Sequence, residues 1–175
     1  MLIHLSEIMN REGKTFQTEA TVEMNSMEFK LGSFPIRERT PITFTIVNVG
    51  KRVLEISGSG DLKIGIPCGR CLEEVLVDFP LDIHRKVDMK LSAEDRIKDL
   101  DESNYITGTD LDVDQLVRNE VLMWWPLQVL CREDCKGICS HCGKNLNLGP
   151  CNCQEEDPDP RMAAIRDIFS KFKEV

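Results

Sequence analysis

The distribution of cysteines constrains this chain most strongly. Six of its eight cysteines lie between residues 131 and 153 of a 175-residue chain. Thiolates this close repel one another unless a metal ion or a disulfide joins them. In the central Cys139-Ser-His-Cys142-Gly143, two thiolates two residues apart can chelate one ion, and the glycine lets the following backbone turn and donate amides to sulfur. The pattern predicts a structural metal, because an all-thiolate tetrahedral site keeps no position open for catalysis.

Six thiols exceed the four that one zinc ion needs, so the ligand set has alternatives. The favoured structural Zn²⁺ site uses the first four cysteines of the segment, Cys131, Cys135, Cys139 and Cys142. The remaining pair, Cys151 and Cys153, is held in reserve as a substitute. A dinuclear or iron–sulfur arrangement is a further alternative. We expect His141 to lie at the surface, since its neighbours already supply enough sulfur.

A second Cys-x-x-Cys pair, Cys68-Gly-Arg-Cys71, stands apart from this segment. A thioredoxin-like redox centre would need the pair at the start of a helix, whereas here it lies between two predicted strands. It could instead be half of a metal site that leftover C-terminal cysteines complete. The third interpretation is a turn with small, partly buried thiols, in which Arg70 is free to contact phosphate.

Composition and charge favour a cytoplasmic protein. The chain has no run of 18 apolar residues and no basic start followed by an apolar stretch, so neither a transmembrane helix nor a signal peptide is expected. Clustered cysteines in a reducing compartment indicate metal more often than disulfides. The net charge of −8 argues against a nonspecific nucleic-acid binder. Much of that charge falls within residues 92–114, which we predict to be an acidic loop.

The hydrophobic pattern predicts an α+β fold with an antiparallel, barrel-like sheet, C-terminal helices and a small cysteine-rich zinc segment. Short alternating runs from residue 42 onward predict strands separated by turns, one of them at Gly58-Ser-Gly-Asp61. Pro80 is expected at an edge or a bend. A helix should begin at Asp112, which can cap it, and a second at Asp159-Pro160. We expect the Trp124-Trp125 pair to pack in the core.

These elements suggest two parts. Residues 1–127 should form a mainly antiparallel β domain with the acidic loop and one helix. Residues 128–175 should form the metal segment and the C-terminal helix. No spacing of histidine, serine or cysteine predicts a catalytic constellation, and no phosphate-binding glycine loop is present.

Several segments, in order, resemble the YceD family. They include Ile56-Ser-Gly-Ser-Gly, Ile66-Pro-Cys-Gly-Arg-Cys-Leu-Glu-Glu, the helix 112–124, the segment from Pro126 through Cys-Arg-Glu-Asp-Cys-Lys-Gly-Ile-Cys-Ser-His-Cys-Gly-Lys-Asn, and Asp159-Pro-Arg-Met-Ala-Ala-Ile. The resemblance implies a non-enzymatic ribosome-biogenesis factor that supports synthesis, processing or stability of large-subunit (23S) rRNA. It also implies that the metal stabilises the fold, and it supplies no catalytic residues.

The expected partner is ribosomal RNA, a pre-ribosome or a ribosomal protein, with neither a membrane nor a small-molecule substrate involved. We predict that binding occurs on the sheet near the separate cysteine pair, through Arg70, Arg85, Lys86, Cys68 and Cys71. Two alternatives remain: a zinc-stabilised protein-interaction adaptor without RNA contact, and a thiol oxidoreductase that uses Cys68 and Cys71.

Overall fold

A computed structural model describes residues 1–50, 52–90 and 104–153. Its nine strands are β1 (Leu2–His4), β2 (Thr15–Ala20), β3 (Ser26–Phe29), β4 (Gly32–Arg39), β5 (Ile42–Gly50), β6 (Val53–Pro67), β7 (Glu74–Asp88), β8 (Ile106–Thr107) and β9 (Asp110–Asp112). The described helices are α1 (Ser6–Met9), α2 (Val113–Met123) and a 3-10 turn at Leu146–Leu148. Within these ranges no helix has the length and apolar character needed to cross a bilayer.

Strand β6 organises the main antiparallel sheet. On one side it pairs with β7 over its full length, from Val53 opposite Asp88 to Pro67 opposite Glu74. On the other side its first half pairs with β5 and its second half with β4. Strands β2 and β3 extend this side, and β1, β9 and β8 form a separate three-stranded sheet. The predicted antiparallel α+β architecture is confirmed, but the described strands do not close into a barrel.

One face of the sheet carries the core. Alternate residues of β5, among them Ile42, Phe44 and Ile46, are fully buried, as are Ile56 and Ile64 of β6. Helix α2 covers this face. Its buried residues recur at helical spacing and are Val113, Leu116, Val117, Glu120 and Val121. The apolar side chains that alternate along the strands and those that recur at helical spacing in α2 therefore pack into one hydrophobic layer.

The predicted turn at Gly58–Asp61 is wrong, because β6 runs through it without interruption. Both glycines face the core opposite large side chains of β5. A Cβ atom on Gly58 would lie 2.8 Å from Phe44 Cε1, and one on Gly60 would lie 2.9 Å from Ile42 Cγ1. The glycines make room for these side chains, so they permit close packing within a strand and do not bend the chain.

Strand β7 is likewise continuous through Pro80, where two strands were expected. Among the described strands β7 pairs with β6 alone, so Pro80 lies on an edge strand, as predicted. Asp61, opposite Pro80, directs its backbone groups to Thr40: Asp61 N donates to Thr40 Oγ1 at 2.8 Å, and Thr40 N donates to Asp61 O at 3.0 Å. The pair is therefore not hydrogen-bonded, and the N–H that proline lacks would have pointed outward.

The acidic stretch gives a mixed outcome. Residues 91–103 lie outside the described residues, but β8 and β9 replace part of the predicted loop. Asp112 caps α2, accepting a hydrogen bond from Gln115 N at 3.1 Å, as predicted. The predicted helix from residue 159 lies outside the described residues.

The two tryptophans differ in environment. Trp125 packs against Phe29, Phe34 and Phe79, with ring centroids 4.9, 4.7 and 5.8 Å away. Trp124, by contrast, is 71% exposed. The expectation of a core pair is therefore correct for Trp125 and wrong for Trp124.

The Gly58→Ala substitution tests the role of the glycine. The added methyl group would overlap the Phe44 ring, so we expect a loss of about 1–3 kcal/mol in the free energy of unfolding, measured with urea. Ser59→Ala, one residue on and exposed on the opposite face, should change it by less than about 0.5 kcal/mol. Equal stability of the two variants would contradict the packing argument.

Candidate metal centres

The tip of the β6–β7 hairpin forms a tight knuckle at residues 68–73. Cys68 N donates to Glu73 O at 2.8 Å, and Leu72 N donates to Cys68 O at 3.0 Å. Leu72 adopts φ +64°, in the left-handed region that usually favours glycine. The resulting turn brings the thiols of Cys68 and Cys71 to one side of the hairpin tip.

The C-terminal segment repeats this knuckle at residues 139–144. Cys139 N donates to Lys144 O and Gly143 N donates to Cys139 O, each at 2.9 Å. Gly143 adopts φ +70°, almost the same angle as Leu72. The two Cys-x-x-Cys pairs are thus local copies of one backbone motif, although a glycine follows the second cysteine in only one of them.

Each knuckle contributes half of a four-thiol cluster. The hairpin cluster consists of Cys68, Cys71, Cys131 and Cys135. Its Sγ atoms all lie within 4.8 Å of one another, with Cys68 to Cys135 at 3.8 Å and Cys71 to Cys131 at 3.6 Å. Tetrahedral ligands 2.3 Å from Zn²⁺ lie about 3.8 Å apart, so these thiols already have the required spacing.

The terminal cluster consists of Cys139, Cys142, Cys151 and Cys153, again with all Sγ atoms within 4.8 Å. The two clusters differ in exposure. Three thiols of the hairpin cluster are buried, whereas Cys142 and Cys153 of the terminal cluster are exposed. His141 is exposed and belongs to neither set.

This arrangement differs from the single site predicted from sequence. The structure divides Cys131, Cys135, Cys139 and Cys142 between two clusters. The first pair joins Cys68 and Cys71, so the half-site interpretation of that motif is the one the structure supports. The reserve cysteines Cys151 and Cys153 complete the second cluster. The hairpin cluster also spans the predicted boundary at residue 127.

Backbone amides lower the pKa of one thiol in each cluster. Hydrogen bonds from the backbone of Cys71, and then of Arg70, lower the pKa of Cys68 to about 6. Amides of Cys142 and His141 do the same for Cys139, whose pKa is also about 6. Burial, reinforced by the neighbouring thiols, raises the pKa of Cys131 to about 12. A thiolate formed first in each knuckle therefore opposes ionisation of the others until a cation neutralises the set.

Hydrogen bonds hold the C-terminal segment against the hairpin tip. Gly69 N donates to Val129 O at 2.8 Å, and Arg70 Nη1 donates to the carbonyl oxygens of Glu133 and Cys135 at 3.2 and 3.0 Å. A Cβ atom on Gly137 would lie 3.2 Å from Arg70 O. The sulfur ligands are therefore oriented by packing between segments that are distant in sequence.

Asn147, which sequence reasoning missed, connects the surroundings of the hairpin cluster. Its Nδ2 donates to Cys135 Sγ at 3.3 Å, while its Oδ1 accepts from Lys136 N at 2.8 Å and from Arg132 Nη2 at 2.7 Å. Its hydrogen bond to sulfur is the main cause of the lowered pKa of Cys135. Asn147 thereby links the C-terminal knuckle to the hairpin cluster.

The basic residues predicted to bind RNA have intramolecular partners. Arg70 is engaged with carbonyl groups, as described above. Arg85 Nη2 lies 2.6 Å from Glu120 Oε2, in an ion pair in which the carboxylate is only 5% exposed. Lys86 lies 3.5 Å from Glu55 and is 66% exposed. Their role in RNA binding stays a prediction, with Lys86 the most accessible of the three.

Acidic residues also accompany the other cations on the outer face of the sheet. Arg37 Nη2 lies 2.7 Å from Glu74, and Lys63 Nζ lies 2.8 Å from Glu38. Asp78 and Asp82 are exposed on the same face. The described part of this surface is therefore not a continuous basic patch.

Sequence comparison identifies the family. A family described as "Large ribosomal RNA subunit accumulation protein YceD" matches residues 56–169, a range that holds all eight cysteines. The chain belongs to the YceD family, as the sequence motifs predicted. The family description links it to accumulation of the large ribosomal RNA subunit.

The similar proteins include bacterial and plastid relatives. Uncharacterized proteins of Mycobacterium bovis and Mycobacterium tuberculosis (strain H37Rv) are each 24% identical over 170 residues, covering 97% of this chain and 81% of theirs. A chloroplastic large ribosomal RNA subunit accumulation protein YCED homolog 1 of Arabidopsis thaliana is 26% identical over 65 residues, covering 37% of this chain and 20% of its own. No solved structure matches this chain significantly.

Two independent clusters predict two bound metal ions per chain, not one. Elemental analysis of protein purified under reducing conditions should find about two ions, and Cys71→Ser or Cys142→Ser should each remove about one. Ser140→Ala, an exposed non-ligand inside the C-terminal knuckle, should retain both. A wild-type protein with one ion that Cys71→Ser leaves in place would contradict the hairpin site.

The Arg85→Ala substitution should destabilise the protein by about 3 kcal/mol in urea unfolding, because it leaves the buried Glu120 carboxylate without its cation. Lys86→Ala, which removes an exposed cation from the adjacent position, should cost less than about 1 kcal/mol. If both variants are equally stable, Arg85 is not a structural residue and its guanidinium is available for a partner.

Proposed function

We propose that this protein is a non-enzymatic, cytoplasmic ribosome-biogenesis factor that supports accumulation of large-subunit rRNA. The family match over residues 56–169 carries the proposal. That range includes both cysteine clusters and the tip of the β6–β7 hairpin, which carries two thiols of the first cluster. The function therefore belongs to the same part of the chain that the clusters hold together.

The proposed cofactor is Zn²⁺, one ion in each cluster, with a structural role. Two sets of four thiols at tetrahedral spacing suit a soft-ligand ion with no redox chemistry. A four-iron cubane would hold its thiolates further apart, because inorganic sulfide and iron occupy the space between them. The Zn²⁺ ion in the hairpin cluster would join residues 129–137 to the hairpin tip.

The cluster geometry supports a non-catalytic role. Four thiolates would complete the coordination of each zinc and leave no position for a reactive water. The alternative of a thiol oxidoreductase would require Cys68 and Cys71 to form a disulfide, which would remove two ligands from the hairpin cluster. An insulin-reduction assay separates these activities, and we expect none above the rate of a Cys71→Ser variant.

The charge distribution favours a protein as the immediate partner. The chain carries a net charge of −8, and the cations Arg37, Lys63 and Arg85 lie beside carboxylates. A protein that binds rRNA is basic, because it neutralises phosphates, and would be attracted to such a surface. We therefore propose that the factor acts on the large subunit through a basic ribosomal protein.

Depletion tests the proposed function directly. Loss of the protein should lower the amount of large ribosomal subunits and of 23S rRNA relative to small subunits, measured by sucrose-gradient profiling and RNA quantification. Expression of wild type or Ser140→Ala should restore the profile, whereas Cys71→Ser should restore it poorly because the hairpin cluster is incomplete. A normal ratio of large to small subunits after depletion would reject the proposed function.

A further inference from the structure

A groove of about 400 Å³ lies between the edge of β7 that pairs with no described strand and the end of α2. Its apolar lining consists of Val77, Phe79, Leu81, Val121, Trp124 and Pro126. The strand residues belong to the core face of the sheet, so the groove is an opening beside the core. None of its lining residues is a cysteine of either cluster.

Exposed apolar side chains occur at and next to the α2 residues that line this groove. They come from the end of α2 and the residues that follow it, and are Leu122, Met123, Trp124 and Leu127. The neighbouring Trp125 shows that the fold can bury an indole here, since it packs among three phenylalanines. An exposed cluster that includes a tryptophan is typical of a protein-binding surface.

The charges beside the groove are negative. Asp78, Asp82 and Glu120 contribute to its wall, and Glu120 is paired with Arg85. Asp82 lies 3.0 Å from His84, which is charged only when protonated. The described lining of the groove includes these carboxylates and no lysine, arginine or histidine, so a positively charged partner is complementary to it.

The edge of β7 limits how a partner can bind. Because Pro80 has no N–H to offer at the outer edge, an added β-strand would lack a donor in the middle of the groove. An amphipathic helix needs no such donor, since it satisfies its own backbone and presents apolar anchors and charged side chains.

We propose that this groove binds a basic amphipathic helix of a protein partner, with a bulky apolar side chain seated against Trp124 and with lysine or arginine beside Asp78 and Asp82. The inference deepens the proposed function, because it gives the place and the chemistry by which the basic ribosomal protein would be held. The groove itself is defined by geometry and charge and does not depend on the family match.

The test uses two probes from the same source: protein extracted from purified large ribosomal subunits, and the protein-free rRNA of those subunits. Full-length wild-type chain should bind at least one basic protein of the extract, which mass spectrometry identifies and which is then purified for titration. Trp124→Ala and Asp78→Lys/Asp82→Lys should each raise its Kd at least ~10-fold, and added salt should weaken binding of the wild type. Ser140→Ala, an exposed change in the C-terminal knuckle and outside the groove lining, should leave the Kd unchanged.

Three outcomes would overturn the proposal. The first is binding of the basic protein with the same Kd by wild type and both groove variants. The second is binding of the rRNA probe, but no protein, in a manner that the groove variants abolish. The third is a groove that is already covered in the full-length chain. Acrylamide would then quench poorly the part of the tryptophan emission that the Trp124→Phe substitution removes. Dependence of that protection on concentration would identify a second copy as the occupant, and independence would identify this chain itself.

These results are separable from the depletion experiment. Unchanged binding by the groove variants, together with a loss of large subunits on depletion, would reject the groove and leave the proposed function standing. Groove-dependent binding of a basic protein, together with normal subunits on depletion, would reject the function and retain the groove.

Discussion

Four sulfur atoms at the tip of the β6–β7 hairpin connect two parts of the chain that the sheet does not connect. Cys68 and Cys71 belong to the hairpin, whereas Cys131 and Cys135 follow α2. Backbone contacts prepare this junction, but the mutual repulsion of thiolates opposes it until a cation is present. Under the proposed zinc assignment, metal binding would stabilise the position of the C-terminal segment, while the sheet and α2 rest on an apolar core of their own.

The surfaces to compare as binding sites are the outer face of the sheet, the two knuckles and the groove beside α2. The outer face of the sheet carries ion pairs. The hairpin knuckle is hydrogen-bonded to the C-terminal segment, so neither surface is uniformly acidic or uniformly basic. The groove beside α2 is different, because its described lining combines exposed apolar surface, Trp124 included, with carboxylates and has no lysine, arginine or histidine. Under the proposed function, this groove is where a protein of the large ribosomal subunit would be bound.

Sequence reasoning succeeded where the structural cause is local. Asp112 caps its helix, and Gly143 permits the knuckle that was recognised from the Cys-x-x-Cys-Gly pattern. Sequence reasoning failed where contacts with a segment distant in sequence determine the local structure. Leu72 occupies the position of the knuckle glycine, so the hairpin copy lacked its usual signature, and its left-handed φ costs about 1 kcal/mol that the tertiary structure must offset. Gly58 resembles a turn residue until Phe44 is placed across from it. The distribution of cysteines between two clusters could not be predicted, because it requires the hairpin to reach residues some sixty positions away.

That separation also sets an order of events during synthesis. The hairpin thiols Cys68 and Cys71 leave the ribosome well before Cys135, the last ligand of their cluster. At about 5–20 residues per second, the 64 residues from Leu72 through Cys135 take roughly 3–13 s to translate. For that interval the nascent hairpin can fold but cannot close its coordination sphere, whereas the terminal cluster requires only the 15 residues from Cys139 to Cys153. Under the proposed zinc assignment, the nascent hairpin would therefore hold only two of its four ligands until residues 131–135 are synthesised.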